Sequence, residues 1–197
     1  MLAMTVAAQP RTEGELDEVT LARAARGDQA AARALFVHYH RQVHAFLWRM
    51  LAPHGPRATV EDLTQDTFLR AFAALPRFQP GGAARVSSWL LTIATRVALN
   101  ELRRQKRKPD AQVDVELIAL PGGSGPHEEA ERRAIGAILA RAIAELPADG
   151  RAVLLLREYH DRSLDEIARA LELPVGTVQS RLARARAALR EALKELS

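Results

Sequence analysis

Apolar side chains recur every three or four residues along most of the chain, the spacing of helices that bury one face. From Asp17, the positions Val19, Leu21, Ala22 and Ala25 predict a short helix that stops at Gly27-Asp28. Asp28 is placed to cap a second, longer helix through Leu35, Phe36, Tyr39, Val43, Phe46, Leu47 and Met50, which Pro53, Gly55 and Pro56 break. Thr59, with Asp62 three residues on, predicts the start of a third helix whose stripe is Leu63, Thr67/Phe68, Ala71/Phe72 and Leu75. Beyond a Pro- and Gly-rich loop, residues 76–84, Ser87 or Ser88 predicts the cap of a fourth helix from Trp89 to Gln105, with Leu90, Ile93, Val97 and Leu102 inward.

The pattern then lapses. Residues 109–127 carry no amphipathic repeat and include Pro-Gly-Gly-Ser-Gly-Pro, the composition of a linker. Helical spacing resumes over 128–146, ended by Pro147, and continues over 150–160, 163–171 and 175–196. No segment alternates with the period of a strand. The fold expected is all-α: two small helical domains, 15–108 and 128–197, joined by a flexible linker, 109–127, with a flexible leader before residue 15.

The sharpest local signal lies in 163–193. Ser163 and Glu166 form the Ser-x-x-Glu pattern of a capping box, and Leu164, Ile167, Ala168 and Leu171 supply one buried face. Glu172-Leu173-Pro174 makes a tight turn into a longer, Arg-rich helix. Two short helices so joined follow the helix-turn-helix plan, in which the second enters the major groove. At about 100° per residue, Val178, Leu182, Ala185 and Leu189 share the inward side of that helix. Gln179, Ser180, Ala183, Arg184 and Ala187 share the other, where small alanines permit close approach to base edges and the polar groups pair with bases or phosphates. Arg181 and Arg186 fall on the flanks, better placed for phosphates. An Arg-rich solvated helix is the plain alternative; the capping box, the turn and the one-sided charge together favour DNA reading.

Composition narrows the classes. The net charge of +4 is too mild to prove a nucleic-acid partner, so the position of the charge matters more than its sum. No cysteine is present, which excludes disulfides, thiolate chemistry and Cys-ligated zinc and makes a reducing cytoplasm the natural compartment. The first residues lack the charged-then-apolar pattern of a signal peptide, and no apolar run approaches the roughly 20 residues of a membrane span.

Four segments, in order, resemble the extracytoplasmic-function class of the sigma-70 family, over residues 17–108 and 128–195. LARAARGDQAAARALFVHYHRQVHAFLWRML (21–51) looks like the opening of region 2, with its Gly-Asp-x-x-Ala signature. EDLTQDTFLRAF (61–72) is similar to region 2.2, and SSWLLTIATRVALNELRRQKR (87–107) resembles regions 2.3 and 2.4. LPADGRAVLLLREYHDRSLDEIARALELPVGTVQSRLARARAALRE (146–191) is similar to region 4.

The resemblance implies a transcription initiation factor that binds bacterial core RNA polymerase and promoter DNA, with an anti-sigma factor as its regulator. It places core docking on Glu61, Asp62, Gln65 and Asp66. It places capture of a flipped non-template base of the minus-10 element on the loop 78–88, with Arg85, Ser87, Ser88, Arg96 and Asn100 as polar and cationic groups. Arg103 and Arg104, within the run Arg-Arg-Gln-Lys-Arg-Lys (103–108), are suited to phosphates. Trp89 is either a base stacker or a core ring. This chain departs from the usual form at Pro80-Gly81-Gly82 and at Arg96 and Val97, where Asn is frequent. Minus-35 reading falls on Gln179, Ser180, Arg181 and Arg184, with Thr177 and Arg157 on phosphates.

Other chemistry is sparse. His40 and His44 have the spacing of a zinc pair, but no Glu follows His40 in the metalloprotease arrangement and a third ligand is wanting, so packed or surface histidines are expected. No phosphate-cradling Gly loop with a following Lys-Ser/Thr occurs. A tyrosine recombinase would need a Tyr nucleophile, and Tyr39 and Tyr159, the only tyrosines, sit on expected packed helices. The expectation is therefore no enzyme, no cofactor, no metal and no membrane insertion. A stand-alone helix-turn-helix regulator is the rival of another class; it has no use for 61–72 and 87–107.

Overall fold

The computed structural model describes residues 14–51, 57–78, 85–107 and 126–194, and all regular structure among them is helical. The expected leader, Pro53, Gly55 and Pro56, most of the Pro/Gly loop, Lys108 and the linker up to residue 125 lie outside the described residues. The front half comprises α1 (Glu18–Ala25), α2 (Gln29–Leu51), α3 (Arg57–Ala74) with a 3-10 turn (Leu75–Arg77), and α4 (Val86–Lys106). The back half comprises α5 (Pro126–Glu145), α6 (Ala148–Leu154) running into one π-helical turn (Leu155–Tyr159), α7 (Leu164–Leu171) and α8 (Val175–Lys194).

Local chemistry sets most boundaries. Asp17 accepts the Thr20 amide at 2.8 Å and starts α1. Gly27, at φ +89°, turns the chain out of it. Asp28 accepts the Ala31 amide at 3.0 Å and starts α2, as its position predicts. Leu35, Tyr39, Val43, Phe46, Leu47 and Met50 then form a fully buried stripe against α3 and α4. Val19 departs from expectation and is 70% exposed. It sits about 200° round the helix from Leu21, and Leu21 with Ala24 takes the buried side.

Two expected caps are not caps. α3 begins at Arg57, so Thr59 lies inside it. α4 begins at Val86, which is buried, and puts Ser87 and Ser88 inside its first turn. Arg85 occupies the cap position without a side-chain bond. A remote carboxylate does the capping: Glu15 accepts the Ser87 amide at 3.2 Å and the Ser87 hydroxyl as well. Tyr39, buried in α2, anchors that segment, donating to Glu15 at 2.9 Å and accepting the Leu16 amide at 3.0 Å.

In the back half, α5 and α6 pack on α8, and α7 packs on α8 as well. The capping box forms in full: the Glu166 amide donates to Ser163 Oγ at 3.2 Å, and the Ser163 amide donates to Glu166 Oε2 at 2.8 Å. Glu172, in the left-handed region at φ +56°, ends α7 and starts the turn into α8.

The halves are not held apart. α2 meets α5 and α6, α4 meets α6 and α7, and the buried residues of both form one continuous cluster. Arg151, 2% exposed, spans this seam: it donates to the Met50 carbonyl at 2.5 Å, and to the Ala144 and Leu146 carbonyls near the end of α5. It thereby satisfies carbonyls that the ends of two helices leave open. Among the described residues no helix is long and apolar enough to cross a membrane.

Candidate nucleic-acid interface

α8 is two-faced. Val178, Leu182, Ala185 and Leu189 are buried, while Gln179, Ser180, Ala183, Arg184 and Ala187 are exposed, as the angular arithmetic requires. Thr177 is half-buried in the first turn, and its carbonyl accepts the Ser180 hydroxyl at 2.9 Å. Arg184 folds back on the Ser180 carbonyl at 3.3 Å, a weak tether that leaves its guanidinium free to swing outward. The flanking arginines are held: Arg181 lies 3.4 Å from Asp149, and Arg186 lies 2.5 Å from Glu158. Arg157 is half-buried and donates to the Arg162 carbonyl at 2.9 Å, bracing the turn before α7.

The start of α4 gathers Arg85, Ser87, Ser88 and Trp89 in little over one turn, with Arg96 and Asn100 further along. Arg85, Arg96 and Asn100 are exposed, but Ser87 is 4% exposed. The Trp89 ring leans on Phe78 with centroids 4.8 Å apart. Beyond Asn100 the basic end divides. Arg103 donates to Asn100 at 3.2 Å and remains exposed. Arg104 makes two bonds to Glu101, at 2.8 and 2.9 Å, and these hold the Glu101 carboxyl below the usual carboxylate range against its partial burial.

On α3, Glu61, Asp62 and Gln65 are exposed, and Asp66 pairs with Arg70 at 3.0 Å. Asp62, Gln65, Asp66 and Leu69, the last 68% exposed, fall on one arc of the helix. The opposite arc is anchored by Phe68, whose ring centroid lies 4.8 Å from that of Phe36 and 6.2 Å from that of Phe72. The result is a rigid acidic-polar stripe with an apolar end, suited to a protein partner.

Comparison with known proteins gives these surfaces a setting. Residues 35–108 match sigma-70 region 2 and residues 136–189 match sigma-70 region 4. The ECF RNA polymerase sigma-E factor of Escherichia coli K12 is 35% identical over 182 residues, covering 88% of this chain and 92% of that protein. The chain belongs to the extracytoplasmic-function class of the sigma-70 family. It is an RNA polymerase sigma factor. A solved relative, CnrH in complex with the cytosolic domain of CnrY, is 28% identical with a TM-score of 0.60, covering 91% of this sigma factor and 97% of that chain. The Bartonella quintana sigma factor RpoE, solved with the anti-sigma factor NepR, shares the fold at a TM-score of 0.63 and 24% identity, covering 82% and 96%.

Several residues central to this sigma factor's geometry escape a sequence reading. Arg162 donates to Ser87 Oγ at 2.9 Å and to Ser88 Oγ, and Ser88 donates in turn to Glu166 at 3.1 Å. Arg96 meets Glu172 at 2.6 Å. Glu15 completes the group from the other side. Each joins positions more than 70 residues apart, and only the Ser-x-x-Glu box gave any local sign that Glu166 mattered. The rings of His40 and His44 stack 5.9 Å apart, and among the described residues no group of three or more potential ligands surrounds them.

Proposed function

We propose that this sigma factor docks on core polymerase through Glu61, Asp62, Gln65 and Asp66. Arg85, Ser87, Ser88, Trp89, Arg96, Asn100, Arg103 and Arg104 then engage the minus-10 strand, and Gln179, Ser180, Arg181 and Arg184, flanked by Thr177 and Arg157, engage the minus-35 duplex. Residues 15–108 and 128–197 act as separate binding units tied by 109–127, so that one chain reaches two promoter elements and gains from their linkage. The factor contributes binding and strand separation, the polymerase contributes catalysis, and an anti-sigma protein controls access. Its place of work is the cytoplasm, where the polymerase is. The lack of cysteine assigns any redox sensing to the partner.

The observation that carries this reading is the segregation of α8, with an aliphatic inner face and an outer face of Gln179, Ser180, Ala183 and Arg184. Run-off transcription tests it. Bacterial core polymerase with this protein, given templates bearing a randomised promoter region, is expected to initiate from a defined subset; no initiation above core alone refutes the reading. Within that assay, replacing Asp62 and Gln65 together with Ala should weaken core affinity by about tenfold while the circular dichroism melt stays put. Unchanged affinity would remove the docking assignment.

A further inference from the structure

We infer that Asp149 and Glu158 are positioning residues for duplex recognition: they hold Arg181 and Arg186, one on each flank of α8, so that these cations meet phosphates only when the helix sits at base-reading depth. The inference rests on the minus-35 assignment above and adds to it the means by which an Arg-rich helix is kept from binding any DNA. α8 carries four arginines, Arg181, Arg184, Arg186 and Arg190. Arg184, on the reading face, and Arg190 meet backbone carbonyls of their own helix, at 3.3 and 3.4 Å. The two flank arginines are the ones given to carboxylates. Arg181 faces Asp149, in the first turn of α6, at 3.4 Å. Arg186 donates twice to the same Oε1 of Glu158 in the π-helical turn, through Nε at 2.9 Å and Nη2 at 2.5 Å. Both carboxylates thus come from one support, α6 and the turn that continues it, and α6 packs on α8.

A free guanidinium sweeps a wide arc and reaches phosphates from many registers of the duplex. Such contacts are independent of sequence and supply essentially all non-specific affinity. An arginine fixed by a carboxylate has one place for its donors. It has five N–H groups, so some remain for a phosphate while two are occupied. The negative charge behind it also repels a backbone that approaches out of register. These pairs do little for stability, because their side chains are a quarter to a half exposed and water screens them. Their effect is on where positive charge can go. The reading face is built the other way: Gln179, Ser180 and Arg184 are exposed beside Ala183 and Ala187, and among the described residues no carboxylate pairs with Arg184. Base contacts are left free and phosphate contacts are restrained, which raises the ratio that selects one site among competing DNA.

Glu158→Gln and Asp149→Asn, singly and together, remove the hold and leave every arginine in place. The measurement is run-off transcription by core polymerase with the full chain, on a template recovered from the randomised library and on the same template with its minus-35 element scrambled. In the double variant, initiation from the scrambled template should rise about tenfold relative to the intact one. The log–log salt dependence of holoenzyme binding to the scrambled duplex should steepen by about two, close to one for each released arginine. Asp165→Asn is the control for each single variant: it removes the same unit charge from an exposed carboxylate of α7 that has no ion pair among the described residues, and it should leave the ratio between templates as it was. An unchanged ratio in the double variant, or an equal shift with Asp165→Asn, overturns the inference. Failure of the unsubstituted chain to prefer the intact template sinks the minus-35 reading instead, and that failure shows before any variant is made. The two pairs stand on separate elements, so if one substitution lowers the circular dichroism melt the other decides. A lowered melt in both would make the carboxylates structural and overturn the inference as well.

Discussion

The start of α4 and the outer face of α8 carry much the same chemistry, serines and arginines with a side-chain amide, in opposite circumstances. On α8 the reading face is the geometric complement of the core face, so whatever packs inside leaves it bare. At α4 the polar groups sit at a helix start where Glu15, α7 and the chain before α7 all converge, and Ser87 is buried. A site made from one helix is settled by that helix. A site made at a junction depends on everything that reaches the junction.

The largest disturbance of this contrast should come from Phe46→Ala. Phe46 is fully buried in α2 and touches His160 across the seam. The substitution should cost about 3–5 kcal/mol in a denaturant titration, and amide exchange should rise in α6 as well as in the front half. Loss of protection confined to α1–α4 would mean that the halves are energetically independent. Next come the bare and the held arginines of α8. Arg184→Ala should lose about 1–3 kcal/mol of discrimination at one minus-35 base pair in a mobility-shift series, and Arg186→Ala, occupied by Glu158, much less. Equal losses would erase the distinction between reading face and flank.

A pH dependence probes the seam alone. Burial, aided by the charges of Arg162 and Arg49, pushes the His160 imidazole down to about 3. Gln42 and Phe46 of α2 are its neighbours from the front half. The unfolded chain takes up a proton that the folded chain refuses, so this contribution is whole above about pH 6.5. It drains away as pH falls toward 3, at up to about 1.4 kcal/mol per pH unit. The difference in unfolding free energy between the parent and His160→Gln should follow that slope between about pH 6.5 and 5; a flat difference would place His160 in contact with water. The smallest effect expected is Ser163→Ala, about 1 kcal/mol through loss of the capping box, measured by thermal melting, with α8's duplex affinity unchanged.

What the sequence disclosed follows from range. The α8 faces, the Asp28 cap and the Ser163–Glu166 box depend on residues within a turn or two of each other, and all three are in place. The all-helical class followed from the same periodicity. The Thr59 and Ser87 caps failed because a cap motif describes only what a helix start can do locally. α4 instead begins where Val86 enters the core and Glu15 supplies an acceptor from 72 residues away. Arg151 and Arg162 look like ordinary surface cations in an Arg-rich chain. Their burial reflects carbonyls and hydroxyls brought from the other half, which no spacing encodes.

The π-helical turn at Leu155–Tyr159 has one more consequence. A wider turn houses an extra residue relative to a plain α-helix, so the chain there is one amino acid longer than its path demands. It is a place where a gene could lose a codon and still keep the helix on course. The turn leads directly into Tyr159 and His160, whose rings meet Arg49 and Phe46 of α2. A factor shortened in this way would keep its duplex-reading end and give up the grip of one half upon the other.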